Sequence, residues 1–198
     1  MDKIISKPEA EKAMSLEGEA RGVAIKEHLD YILQKEGTEG VKKIEVALSP
    51  LGYPEYKEIK ATEFYPLGFY ALTHLVIQRI FGYGEKEFGE MGRFNAKFSL
   101  VIRLFMRYFV SLESVTKEVS KMWRRYYTVG TLETVEYSLE DRYVILRLRD
   151  FAPYPTYCSM VKGYFSALLK IIVKNEVQCQ ERKCLFQGDE AHEFVLTW

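Results

Sequence analysis

Apolar residues fall at helical spacing through the first two thirds of the chain and alternate with polar ones near its end. No period is visible over residues 1–14, which read as a mobile arm. Ser15 is a fair N-cap for a helix to about residue 35, with Ile25, Leu29, Ile32 and Leu33 as its apolar stripe. Gly37 interrupts the pattern, Val41, Ile44 and Leu48 resume it, and Ser49-Pro50 ends it, because proline cannot continue a helix. Residues 57–61 look short and extended. Pro66 then opens a helix to about residue 81, on which Leu67, Phe69, Leu72, Leu75, Val76, Ile77 and Ile80 point in nearly every direction, so it should be buried on most sides.

The glycine-rich stretch 82–92 reads as a loop before a second apolar helix over 95–110. Ser111 can cap a third helix, whose apolar residues Leu112, Val115, Val119, Met122, Trp123 and Tyr126 step by three and four. From residue 128 the period changes to two: 129–137 and 142–149 read as strands joined by a turn at 138–141. A last helix over 156–174 and two strands, 176–186 and 191–198, complete the order around Gly188-Asp189. Helices, hairpin, helix and hairpin make an α+β fold, with N-terminal helices packed on one antiparallel four-stranded sheet and residues 15–198 as a single domain.

Composition narrows the function. Among 198 residues, 28 Lys plus Arg balance 28 Asp plus Glu, so bulk phosphate neutralisation is not the chain's business and no nucleic-acid partner is expected. Residues 121–127 mix cations with aromatics, but the aromatics lie on the apolar stripe and the cations at a helix C-terminus, as the helix dipole favours. The charged N-terminus and the absence of a long uninterrupted apolar run argue against a signal peptide or a membrane span, and three cysteines near the C-terminus suit a reducing, cytoplasmic setting. Fourteen Tyr, 12 Phe and 2 Trp supply either a bulky core or the walls of an apolar pocket. Gly82-x-Gly84 with Gly89 lacks the spacing and the preceding strand of a dinucleotide loop. No nucleophilic triad or dyad is visible, so the chain reads as a binding module rather than an enzyme.

One constellation stands out: Cys158, Glu181, Cys184 and His192. If the final hairpin turns symmetrically about Gly188, Cys184 and His192 are opposed, with Cβ atoms about 4.5 to 5.5 Å apart. Two ligands of one metal ion would stand so, and Cys158, at the start of the preceding helix, could complete the set if that helix packs over the hairpin. Strict alternation puts Glu181 on the opposite face, so a bend or bulge must lie between it and Cys184. Set against this, cysteines on half-buried strands usually act as small hydrophobes and a solitary histidine is usually a hydrogen-bonded core residue.

The pattern Glu181-x2-Cys184-x3-Gly188-x3-His192-x-Phe194, preceded by Cys158, resembles the C-terminal signature of the 4-vinyl reductase domain, over about 40 residues. That family belongs to a ligand-binding superfamily shared with Golgi transport-particle subunits and haem nitric-oxide sensors. Its zinc-containing members carry a further Cys where this chain has His192. The resemblance implies a structural zinc at Cys158, Glu181, Cys184 and His192, and a hydrophobic, aromatic-lined pocket for a small apolar or aromatic ligand, with His74, Phe105, Phe109, Trp123 and Tyr126 as candidate lining. It also implies a homodimer and a sensor-type role. A haem is not expected, since the Tyr-x-Ser-x-Arg element of the haem sensors is missing. Alternatives are a vinyl reductase acting on a tetrapyrrole, although no motif for a hydride donor is visible, and a scaffold subunit like those of the transport particles.

Overall fold

In the computed structural model the described residues are 4–98 and 111–198, and they divide into two compact units, Met1–Gly84 with Tyr126–Thr128, and Glu85–Arg125 with Val129–Trp198. The first unit is helical. Helix α1 (Lys7–Met14) lies in the segment read as an arm; Ser6 and Glu9 form a capping box at its start, and Arg79 bonds both Glu9 and the Ile4 carbonyl. A short strand β1 (Glu19–Arg21) pairs with β2 (Phe64–Pro66), so the long helix α2 (Gly22–Leu48) starts at residue 22 rather than near Ser15. Gly37 breaks α2 with φ +70°. Helix α3 (Leu67–Phe81) packs against α2 and α1, and Ile25, Leu29, Ile32, Ile44, Leu48, Leu72 and Ile77 form its fully buried core.

The second unit opens with a departure from the sequence reading. The glycine-rich stretch is largely helix: α4 (Glu85–Phe98) includes Gly89 and Gly92, and it crosses α6 (Tyr157–Val173) at backbone contact. A Cβ on Gly92 would stand 1.8 Å from the Met160 carbonyl oxygen, and one on Gly163 would stand 2.0 Å from that of Gly89. These glycines serve close helix packing, not a turn. The helix expected over 95–110 lies mostly outside the described residues. Helix α5 (Leu112–Tyr126) follows, with Ser111 accepting from the Ser114 amide at its start.

The sheet is antiparallel and four-stranded, as expected, and its two hairpins flank a helix in the chain. β3 (Thr131–Ser138) and β4 (Tyr143–Arg149) form one hairpin; β5 (Gln178–Lys183) and β6 (His192–Thr197) form the other, and the order β3-β4-β6-β5 puts β4 beside β6. β4 and β6 keep unbroken register from Tyr143↔Thr197 to Leu148↔His192. Each outer strand carries an irregularity, between Thr134 and Glu136 in β3 and between Glu181 and Lys183 in β5. Val144, Leu148, Phe165, Phe194 and Leu196 bury the face that meets α6. No described helix is long and apolar enough to cross a membrane.

Candidate functional site

Four side chains from one helix and one hairpin of the second unit converge. Cys158 enters from the first turn of α6, Glu181 from β5, Cys184 from the residue after β5, and His192 from the first position of β6. The irregularity between Glu181 and Lys183 is the bend that alternation alone requires; it turns Glu181 to the same side as Cys184. The donor atoms all lie within 4.8 Å of one another. Cys158 Sγ is 3.6 Å from Cys184 Sγ and 3.7 Å from His192 Nδ1, and His192 Nδ1 is 2.9 Å from Glu181 Oε1. For a tetrahedral ion with metal–sulfur bonds of about 2.3 Å and metal–nitrogen bonds of about 2.0 Å, the S···S and S···N edges are about 3.8 and 3.5 Å.

The site is sealed from solvent. His192 is fully buried, Cys158 and Cys184 nearly so, and Glu181 is the most accessible of the four. Phe194 stacks on the His192 ring at 6.0 Å, and Phe186, in the turn after Cys184, lies 5.7 Å away. Burial first, then the negative charges of Glu181 and Cys184, pushes the Cys158 thiol well above its ordinary value. Burial also raises Glu181, but the hydrogen bonds it accepts from His192 and Cys158 outweigh it and hold the carboxyl below its usual range. The buried His192 Nε2 has no hydrogen-bond partner among the described residues. The third thiol, Cys179, stands apart on β5, and burial raises it to about 12.

Of the residues expected to line a ligand pocket, His74 and Tyr126 fall in the first unit, Trp123 in the second, and Phe105 and Phe109 outside the described residues. Trp123 meets Phe151 edge-on at 4.7 Å and its indole nitrogen donates to the Val129 carbonyl at 3.0 Å. In the first unit His74 packs edge-on against His28, with ring centroids 4.6 Å apart, and Tyr70 lies 4.8 Å from His28 and 5.1 Å from His74. Tyr127, rather than Tyr126, reaches this cluster, 5.7 Å from Tyr70. His28 is the residue the sequence reading missed. It lies on the stripe with Ile25, Leu29 and Ile32, so helical spacing alone places it inside. Its Nδ1 is buried without a hydrogen-bond partner among the described residues, and burial lowers its pKa to about 3. A groove of about 350 Å³ between α5 and β3, lined by Thr116, Lys117, Thr134, Val135, Glu136 and Tyr137, involves none of the expected pocket residues.

No family model and no curated protein matches the chain. Solved structures do share its fold. The H-NOX protein from S. oneidensis in its Fe(II)NO ligation state matches with a TM-score of 0.67 at 10% identity, over 89% of this chain and 97% of that one. The Fe(II) unliganded H-NOX protein from K. algicida matches at 0.62 and 13% identity, over 89% and 95%. A structure described by haem redox potential and porphyrin distortion matches at 0.62 and 13%, over 90% and 99%. The likeness to these H-NOX structures is one of fold, and the 4-vinyl reductase resemblance rests on the C-terminal motif alone. It also overturns the expectation of a structural zinc without haem, since the neighbours point to haem.

Proposed function

We propose that the chain is a sensor-type domain that binds a small molecule, and that its second unit is built around a metal ion held by Cys158, Glu181, Cys184 and His192. The observation that carries this reading is the meeting of two thiols, a carboxylate and an imidazole within 4.8 Å in a buried place. Left without a cation, that set gathers acidic groups where burial disfavours their charge; a divalent ion at the centre reverses the penalty and favours both thiolates. Four protein donors leave no position for a reacting water. The sensor-type role is supported by the shared fold with the H-NOX proteins. Free thiols at Cys158, Cys179 and Cys184 suit a reducing compartment. The homodimer implied by the resemblance belongs to the same reading.

Haem is the second reading, and one feature of the first unit favours it: His28 is a neutral, buried imidazole whose Nδ1 has no partner among the described residues. His192, by contrast, is engaged by Glu181 and Cys158. A bound haem would supply an iron able to take a small gaseous ligand. The chain's own part would be to hold that iron through His28 and to exclude water with Tyr70 and Leu29 beside it.

Both readings are tested on one untagged preparation by elemental mass spectrometry, by absorption spectroscopy before and after titration with haemin, and by sedimentation. About one metal ion per chain, lost in Cys184→Ala and His192→Ala, supports the metal centre; no ion in the parent protein refutes it. A Soret band that grows to one equivalent in the parent protein and fails to form in His28→Ala supports haem, and haemin that stays free refutes it.

A further inference from the structure

Beyond the four donors lies the turn that carries Cys184. Here the chain leaves β5 and makes a single 3-10 turn, Leu185–Gln187, before Gly188 reverses it with φ +94°, a value that favours glycine. Cys184 precedes this turn in extended conformation, at φ −143° and ψ 122°, one residue beyond Lys183, the last paired residue of β5. Asp189 holds its backbone from two sides. Its carboxylate Oδ2 accepts the Cys184 amide at 2.7 Å, and its own amide donates to the Cys184 carbonyl at 3.3 Å, beside the Gln187 amide at 2.9 Å. Both polar groups of the Cys184 backbone thus close on the turn, while the side chain points into the buried cluster.

We infer that Asp189 is the positioning residue of the metal centre: its carboxylate fixes the Cys184 backbone and, through it, the place of the Cys184 sulfur relative to Cys158, Glu181 and His192. The inference rests on the metal-centre reading given above. Asp189 is exposed, and what it offers the Cys184 amide is an acceptor oxygen at a fixed reach. An acceptor of the same length without the charge must therefore serve as well. A carboxylate set one methylene further out, or none at all, must leave Cys184 free to move. Partners that orient a ligand in this way, when removed, lower metal affinity by about 10- to 100-fold.

The test uses the full chain and Co(II), whose absorption reports thiolate coordination, with affinity measured by competition against a chromophoric chelator. Asp189→Asn is expected to hold Co(II) within about threefold of the parent chain, whereas Asp189→Ala and Asp189→Glu are expected to weaken it at least tenfold and to alter the thiolate bands. Far-ultraviolet circular dichroism checks that each variant is folded, and the Asn and Glu variants decide the matter even if the Ala variant is not. If Asp189→Ala and Asp189→Glu bind like the parent, or if Asp189→Asn binds as weakly as they do, the positioning role is wrong while the metal centre stands. If the parent chain itself shows no thiolate-bound Co(II), the metal centre fails and the positioning role with it.

Discussion

Burial keeps His28 and His74 neutral, and this gives the chain's stability a direction in pH. Desolvation lowers both imidazoles, His28 to about 3, against 6.5 for a free histidine. Between those values the unfolded chain binds protons that the folded chain refuses, so stability falls as pH drops below about 6.5 and recovers as pH rises. For His28 alone the loss from pH 7 to pH 5 is about 2 kcal/mol, and His74 adds to it in the same direction. Urea midpoints measured at pH 7, 6 and 5 should decline in that order, and His28→Gln should flatten the decline. A midpoint independent of pH over this range would show that the two imidazoles are not held neutral.

Helices α4 and α6 meet at a distance that only glycine permits, and the contact makes a sharp contrast between neighbouring positions. Gly92→Ala and Gly163→Ala each drive a methyl group into a backbone carbonyl, at 1.8 and 2.0 Å, and should cost about 3 kcal/mol or more in thermal or urea unfolding. Gly89→Ala meets nothing closer than 3.7 Å and should be neutral or stabilising by up to about 1 kcal/mol, from helix propensity. The same crossing explains what the sequence hid. Glycine is written identically for a turn and for a close helix contact, and only the partner helix, some 70 residues on, distinguishes them. Periodicity sufficed for α3, α5, α6 and both hairpins, where one face is buried along the whole element. It failed at β1 and β2, three residues each and too short to show a period, and at α1, whose eight residues bury little beyond Ala10. The four-donor cluster was legible because a hairpin fixes which residues face each other, and the bulge needed for Glu181 followed from the two-residue period. Asp189 was not legible, since its role lies in a backbone amide rather than in any side-chain pattern.

At the scale of the whole molecule the two units carry different chemistry, imidazoles among aromatics in one and the thiol cluster in the other. Metal removal should therefore be felt unevenly. In hydrogen exchange followed by mass spectrometry, a chelator should cost β5, β6 and the start of α6 their protection, while α2 and α3 exchange as before. Equal loss across both units, or none, would show that no ion holds the second hairpin.

The two irregular outer strands have a consequence for how the chain behaves in company. A four-stranded open sheet presents two rows of unpaired amides and carbonyls, and a straight row invites a strand from another molecule. Here β4 and β6 run true at the centre, while β3 is broken at Val135 and β5 at Arg182, so each rim is kinked partway along. The kink in β5 thus does two jobs at once: it swings a carboxylate toward the thiols, and it denies a second copy a flat edge on which to grow a fibre.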